Sequence, residues 1–375
     1  MNVAFYAPLK PPTSPIPSGD RRVGRLLIAA LEQGGHNVEL ASIFRSREPA
    51  GDAARQQRLA ATGKRLAGRL IRRYRSRPKS RRPDVWFTYH VYYKAPDWIG
   101  PMVARELEIP YVAAEASFAP KRAGGPWQAG HQAAGDAISA ARLIFGINSA
   151  NAPCVLPLLG AGARYVPVPP FLEAAPVPEM AIETARQGLA REWDLDEGSV
   201  WLLAVAMMRD DAKLKSYSLL GEALSQLPSA GWRLLIVGDG PAAPQVRAAL
   251  AGTGAVFAGR KSAAELQQYY RAADIFVWPA INEAYGMVLL EAAQAGLPSV
   301  AGDSGGVGDI VSHGETGLLA KSGDAPEFAA ALQILLDDAG LRAKMGDAAM
   351  QRCAREHGLD AASRLLDEEL RKVVR

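Results

Sequence analysis

The chain has 375 residues, 49% hydrophobic and 22% charged, a balance that fits a globular protein and excludes a disordered or fibrous one. That length exceeds a typical single domain and points to two. The net charge of +4 hides a split: residues 1–170 carry 24 Lys+Arg against 11 Asp+Glu, and the remainder 19 against 28. Cys154 and Cys353 offer neither a disulfide framework nor metal-ligand spacing, so a reducing cytosol is the expected setting. The opening MNVAFYAPLKPP lacks a basic leader and its apolar run stops at Pro8, so it does not read as a signal peptide. No apolar run approaches the ~18 residues of a membrane span.

In chain order, VAFYAPL reads as a short buried strand, followed by a Pro/Ser-rich loop and the helix VGRLLIAALEQ, which Gly34 and Gly35 stop. NVELASIF is the next strand. The stretch Gly63 to Pro83 then holds ten basic residues and no acid. Part of it fits a basic amphipathic helix, with Leu66, Leu70 and Ile71 on one side, suited to an anionic membrane surface; the alternative is a solvated loop. A nucleic-acid partner is not expected, since no nucleic-acid motif accompanies the charge and Tyr74 is the run's lone aromatic.

DVWFTYHVYY, IPYVAAEA, ARLIFGIN and ARYVPVPPF complete the strands of the first half. Val166 to Ala181 contains five prolines and reads as an interdomain linker. Strands and helices then alternate again: VWLLAVAMM, YSLLGEALSQL, WRLLIVGDG, APQVRAALA, VFAGR, AAELQQYYRAA, IFVWPA, MVLLEAAQAG and LPSVAG, before a helical tail. Such alternation predicts α/β architecture with parallel sheets, here two Rossmann-like domains. The expected division is 1–170, 171–355 and a last helix, 356–375, crossing back to the first domain. Ligands of open α/β sheets bind outside the carboxyl ends of the strands, so the chemistry should lie at strand-to-helix turns.

Three turns stand out. Gly238 to Gly240 is followed by Ala243 where a dinucleotide fingerprint needs its third glycine, so a tight turn is the better reading. In MMRDDAKLKSYSLLGEAL, Arg209 and Lys215, or Lys213 in its place, suit a phosphate group at a helix start, unless Asp210 and Asp211 pair with them. In INEAYGMVLLEAAQAG, Glu283 and Glu291 stand eight positions apart. Glu283 falls in the loop after IFVWPA and a helix begins near Tyr285 or Gly286; reckoned as ideal helix, the spacing gives a rise of ~12 Å and favours an elongated ligand over a shared atom. Glu291, a carboxylate amid apolar neighbours, suits two vicinal hydroxyls.

Taken together, INEAYGMVLLEAAQAGLPSVAGDSGGVGDIVSHGETGLL, VGDGP, AADIFVWPA and the Arg/Lys loop resemble the signature of glycosyltransferase family 4. These are retaining enzymes of the GT-B fold, with two Rossmann-like domains facing each other across a cleft. The resemblance implies that Glu291 holds the nucleotide ribose, while Glu283 and the amides of Ala284, Tyr285, Gly286 and Met287 hold the donor sugar. Arg209 and Lys215 would neutralise the diphosphate leaving group. It implies no metal and no resident cofactor, the nucleoside diphosphate sugar being a substrate.

The first half departs from that pattern. Its first loop supplies Gly19 and Arg21 instead of a glycine-rich turn, with Ser18 as a helix cap, and Glu115 stands where many members carry a histidine. His90, at the end of the previous strand, is a second candidate near the acceptor. Glu115 would orient or deprotonate an acceptor hydroxyl. The function expected is transfer of a hexose-type sugar to a hydroxyl acceptor, lipid-linked or envelope-associated on account of residues 63–83. Peripheral attachment to the inner face of a membrane would accompany it. The alternatives are a sugar-nucleotide epimerase of the same fold and a non-catalytic sugar-nucleotide-binding protein.

Overall fold

The computed structural model describes residues 1–16, 18–174 and 182–374. The chain forms two units, Met1–Phe171 with Leu359–Arg375, and Leu172–Gly358. The proline-rich stretch 166–181 straddles the division, and its residues 175–181 lie outside the described residues.

The first unit runs β1 (Asn2–Tyr6), α1 (Gly19–Gln33), β2 (Asn37–Ser42), α2 (Ala53–Arg75), β3 (Val85–Val91) and α3 (Gly100–Leu107). It continues through β4 (Tyr111–Ala116), α4 (Gln128–Ala140), β5 (Leu143–Gly146), the one-turn α5 (Ala152–Val155) and β6 (Arg164–Pro167). Its six strands pair in parallel in the order β2-β1-β3-β4-β5-β6. Parallel strands covered on both faces need continuous apolar sequence; Phe5, Tyr6, Trp86, Phe87 and Phe145 are buried accordingly.

The second unit runs α6 (Ile182–Trp193), β7 (Val200–Val205), α7 (Ala212–Leu224), β8 (Trp232–Val237), α8 (Ala243–Ala249), β9 (Val256–Gly259), α9 (Ala263–Ala272) and β10 (Ile275–Trp278). Then follow α10 (Met287–Gln294), β11 (Ser299–Asp303), β12 (Gly317–Lys321), α11 (Ala325–Asp337) and α12 (Ala339–Glu356). Its strands, also parallel, are ordered β12-β11-β10-β7-β8-β9. Helix starts are marked by side-chain caps: Asp211 accepts from the Lys213 amide at α7, and Ser262 and Glu265 form a reciprocal capping box at α9.

The last helix, α13 (Leu359–Val373), belongs to the first unit, where it packs on α1. Gln33 Nε2 donates to Asp360 at 2.5 Å, and His36 Nε2 lies 3.1 Å from Asp367 Oδ1.

The basic stretch folds as the second half of α2 and the turn after it. Helix α2 has no acid in its 23 residues, and Arg72, Arg73 and Arg75 occupy its last turn, where cations complement the helix dipole. Its apolar side, Ala67, Leu70, Ile71 and Tyr74, is buried within the unit, with Leu66 packed at the edge. The side that an amphipathic membrane helix would insert is therefore already covered. Arg73 and Arg77 pair with Glu39, and Arg75 with Glu106, while Lys64, Arg65, Arg69 and Arg72 are exposed.

Gly63 tests this packing, because a Cβ there would stand 2.3 Å from Trp98 Cβ, whereas one at Gly68 would meet only Arg72 Nη1 at 3.7 Å. Gly63→Ala is expected to cost about 1–3 kcal/mol in urea unfolding. Gly68→Ala should be neutral or gain up to about 1 kcal/mol from helix propensity. Equal effects would show that α2 is not packed this way.

Candidate active site

In the second unit the strand order reverses between β7 and β10, so the loops leaving these neighbours diverge and open a crevice at the strands' carboxyl ends. The loop after β10 is strained into place. Ala280 and Asn282 take left-handed φ values of 54° and 50°, and Gly286, at 73°, ends it as the α10 N-cap. The Ile281 amide donates to Ser216 Oγ at 3.0 Å, fixing the loop to α7. Two glycines permit close backbone approach from the neighbouring strand end. A Cβ at Gly302 would lie 2.0 Å from the Pro279 carbonyl, and one at Gly305 2.1 Å from that of Glu283. The Gly306 amide completes the contact by donating to Ala284 O at 2.9 Å.

This frame presents Glu283 to Lys213, and the two form an ion pair with side chains 17% and 19% exposed. Trp278 Nε1 donates to the same carboxylate oxygen at 3.3 Å, and the Lys213 ammonium stands 5.1 Å from the Trp278 ring centroid. Of the two lysines left open by the sequence, Lys213 is thus the one brought to Glu283. Lys215, about 200° further round the helix, is exposed beside a shallow depression with Asp210, Asp211 and Asn282. Arg209, in the loop after β7, pairs with Asp211 at 3.2 Å on a half-exposed surface. Such a pair contributes little to stability and leaves the guanidinium available to a stronger anion.

The ~12 Å rise of an ideal helix does not hold between the two glutamates, because Glu283 lies outside α10, which begins at Met287. Glu291 is inside α10, 7% exposed, with its Oε2 accepting from the Tyr270 hydroxyl at 2.6 Å. The apolar context of Glu291 thus contains a donor 21 residues upstream that the sequence pattern did not expose. Ala284, Tyr285, Gly286 and Met287 bridge Glu283 to the start of α10, and no side-chain oxygen caps that helix start. The Gly238–Gly240 turn is packing: Cβ atoms at these glycines would lie 1.9 and 2.2 Å from the carbonyls of Ala206 and Met208.

In the first unit the order reverses between β1 and β3, and His90 ends β3 beside that point. Its Nδ1 lies 2.9 Å from Asp20 Oδ1 in the first turn of α1. Ser18 caps α1 by accepting from the Arg21 amide; a Cβ at Gly19 would meet nothing within 4 Å. Arg21 itself holds the first loop by donating to Ser14 O at 2.9 Å. His90 and Glu115 both sit in left-handed backbone, at φ 65° and 58°, a strain tolerated where surroundings over-determine it. Glu115 is buried, its two oxygens accepting from the Asn148 amide at 3.1 Å and Asn151 Nδ2 at 2.6 Å. That arrangement ties the ends of β4 and β5 together and engages the carboxylate expected to act as base.

Burial by itself depresses the His90 imidazole pKa, but the hydrogen bond and charge of Asp20, with the Glu115 charge, outweigh it and raise the value above 6.5. Asp20 is shifted down, burial being outweighed by the hydrogen bond and charge of His90 and by Lys10. His90 therefore contributes stability fully below the unfolded imidazole's pKa and loses it as pH rises through the raised value. Asp20 contributes above the free carboxyl range and loses its contribution as pH falls through its lowered value. An NMR titration should place the His90 midpoint above 6.5, and Asp20→Asn should lower it. An unmoved midpoint in the variant would contradict the pairing.

A family model described as "Glycosyl transferases group 1" matches residues 200–338, the region containing every feature of the second-unit crevice. The sulfoquinovosyl transferase SQD2 of Arabidopsis thaliana is 35% identical over 158 residues, 41% of this chain and 31% of that protein. The D-inositol 3-phosphate glycosyltransferase of Corynebacterium aurimucosum is 43% identical over 101 residues, 27% of this chain and 24% of that one. The aligned stretches thus span about a third or less of these curated relatives. Over whole chains, sucrose-phosphate synthase from Thermosynechococcus elongatus superposes with TM-score 0.73 at 19% identity, covering 99% of this chain and 98% of that one. Anabaena Alr3699/HepE in complex with UDP gives 0.74 at 16% identity, covering 99% and 100%. Through residues 200–338 the chain is related to the group 1 glycosyl transferases, and over its whole length it has the GT-B glycosyltransferase fold.

Proposed function

We propose that the chain is a glycosyltransferase that moves a sugar from a nucleoside diphosphate donor to a hydroxyl acceptor with retention at the anomeric carbon. The observation that carries this reading is the Lys213–Glu283 pair at the β7/β10 crevice, within the region matching the group 1 family. A carboxylate on a strained, glycine-framed loop, held against an ammonium from α7, suits a ligand with both hydroxyls and phosphates. Glu283 and the backbone of Ala284–Met287 take the donor sugar; Lys213 and Arg209 take the diphosphate. Their charge is fixed before reaction, so it stabilises the negative charge that grows on the departing phosphate.

Glu291 takes the ribose. A carboxylate offers about four acceptor positions, and the Tyr270 hydroxyl sets its orientation. One structural neighbour, Anabaena Alr3699/HepE, is known in complex with UDP and with UDP-glucose, which supports a nucleotide sugar as ligand. Retention without an enzymic nucleophile follows if the acceptor oxygen bonds to the anomeric carbon on the face from which the diphosphate leaves, its proton passing to a phosphate oxygen as the carbon–phosphate oxygen bond breaks. His90, paired with Asp20, is the acceptor-side polar group in this reading; Glu115 supports the strand ends.

A thermal-shift panel of UDP-, GDP-, ADP- and dTDP-sugars tests the donor site, because a ligand that binds the folded state raises the midpoint in proportion to RT ln(1 + [L]/Kd). One base should give a clear shift. Glu291→Ala, which removes hydrogen bonds to a charged group, should weaken that binding by about 1.5–3 kcal/mol. No stabilisation by any of the four would overturn the reading.

The acceptor is proposed to lie at an anionic membrane surface, reached by the solvent side of α2. Arg58, Arg65, Arg69 and Arg72 fall within about 60° of one another round the helix and are exposed. Since the apolar side of α2 is covered, this contact is electrostatic and does not insert. Binding to phosphatidylglycerol vesicles should fall steeply between 50 mM and 500 mM salt and be lost on replacing these four arginines with glutamine. Salt-independent binding would contradict it.

A further inference from the structure

We propose that the first unit carries a binding site for a phosphate ester, formed by Lys94 and Arg122 over the rings of Tyr93 and Trp127. That this ester belongs to the sugar acceptor rests on the glycosyltransferase reading; the anion site itself stands on the first unit's own residues.

Tyr93 and Trp127 meet edge to face, with centroids 5.5 Å apart and planes at 82°. Both cations contact both rings. Lys94 Nζ is 5.7 Å from the Tyr93 centroid and 5.0 Å from that of Trp127, and Arg122 Cζ is 5.4 Å from each. Two positive groups therefore lie against the same two rings. Ring quadrupoles attract each cation but supply no counter-charge. Among the described residues neither Lys94 nor Arg122 makes an ion pair with an acid. The carboxylate nearest in the local hydrogen-bond network, Glu48, accepts instead from the amides of Ala50 and Gly51, at 2.9 and 2.5 Å.

Hydrogen bonds fix the Trp127 ring and the backbone beside Lys94. Trp127 Nε1 donates to the Glu48 carbonyl at 3.0 Å, the Glu48 amide donates to Lys94 O at 2.8 Å, and Gln56 Nε2 donates to Pro126 O at 2.8 Å. All four ring and cation side chains retain partial exposure. Two cations match the charge of about −1.5 to −2 on a phosphate monoester at neutral pH, and a guanidinium can engage two of its oxygens at once. A carboxylate would leave one cation uncompensated.

The cluster also lies close to His90. Rings follow one another from His90 to Tyr92 at 5.0 Å, from Tyr92 to Tyr93 at 5.6 Å, and from Tyr93 to Trp127 at 5.5 Å. An acceptor with its phosphate between Lys94 and Arg122 would lay its ring along this aromatic path, with a hydroxyl towards His90. The site thus selects for phosphorylated sugars or polyols over neutral ones.

The test titrates the full chain, without donor, with D-glucose 6-phosphate, myo-inositol 1-phosphate and inorganic phosphate. D-glucose and myo-inositol serve as neutral counterparts, and a short-chain monomeric phosphatidic acid, itself a phosphate monoester, as the lipid arm. Calorimetry and tryptophan fluorescence report binding. At least one phosphate-bearing probe should bind tenfold or more tighter than its neutral counterpart. Lys94→Ala with Arg122→Ala should raise that Kd at least tenfold, with Arg122→Lys intermediate and its unfolding midpoint confirming the fold. Binding of a soluble ester places the phosphate on a soluble acceptor; binding of the lipid alone places it on a head group. Neutral and phosphorylated probes binding alike, or a double variant without effect, would overturn the site. Nucleotide-sugar binding is measured in parallel: its absence beside intact phosphate binding overturns the glycosyltransferase reading and not the anion site.

Discussion

The Lys213–Glu283 contact depends on a topological fact: β7 and β10 are hydrogen-bonded neighbours whose connections leave in opposite directions. A partly buried ion pair at such a point needs both partners delivered by rigid backbone, since a loosely held pair would gain little over hydration. The delivery is visible in the surrounding residues. Asp211 caps α7 and starts the helix that carries Lys213. Ala280, Asn282 and Gly286 turn the chain through left-handed conformations to present Glu283. Gly302 and Gly305 allow the adjoining backbone to close behind it.

The first unit builds its polar centre by the same topology with different chemistry. At the β1/β3 reversal it places a histidine–aspartate pair, and one strand further Glu115 braces the ends of β4 and β5. Here the strain resides at the functional-type residues themselves, His90 and Glu115, both forced into left-handed backbone. The neighbouring cations and aromatics form a surface with more positive charge than local acids neutralise. The basic residues of 1–170 thus include two groupings, the solvent side of α2 and the Lys94–Arg122 cluster.

Much of the fold was legible because strands buried on both faces leave unbroken apolar runs, and glycine and proline punctuate them. Glu283, Glu291 and the Arg/Lys loop could be picked out because polar groups stood out at strand-to-helix turns. Other features depended on folding geometry. Lys215 is the lysine expected from the sequence at the phosphate, with Lys213 as its substitute, and only the helix phase sends Lys213 towards Glu283. The loop position of Glu283 and a helix start near Gly286 could be read from the sequence, but the left-handed residues that make the ideal-helix rise to Glu291 inapplicable could not. Leu70 and Ile71 marked an amphipathic face correctly, but periodicity cannot say whether protein or lipid covers it. Tyr270, Asn148 and Asn151, which engage the two buried glutamates, are distant in sequence and gave no local signal. The Tyr93–Trp127 pair brings together residues 34 positions apart, so the shared cations were invisible before folding.

The central claim is that the Lys213–Glu283 pair forms the phosphate and sugar end of a nucleotide-sugar site. Isothermal titration of wild type and Lys213→Met, each with the preferred nucleoside diphosphate and the matching monophosphate, addresses it most directly. The account predicts that the variant loses tenfold or more in affinity for the diphosphate and much less for the monophosphate, because Lys213 engages the distal phosphate. Equal losses for both nucleotides, or none for either, would contradict it.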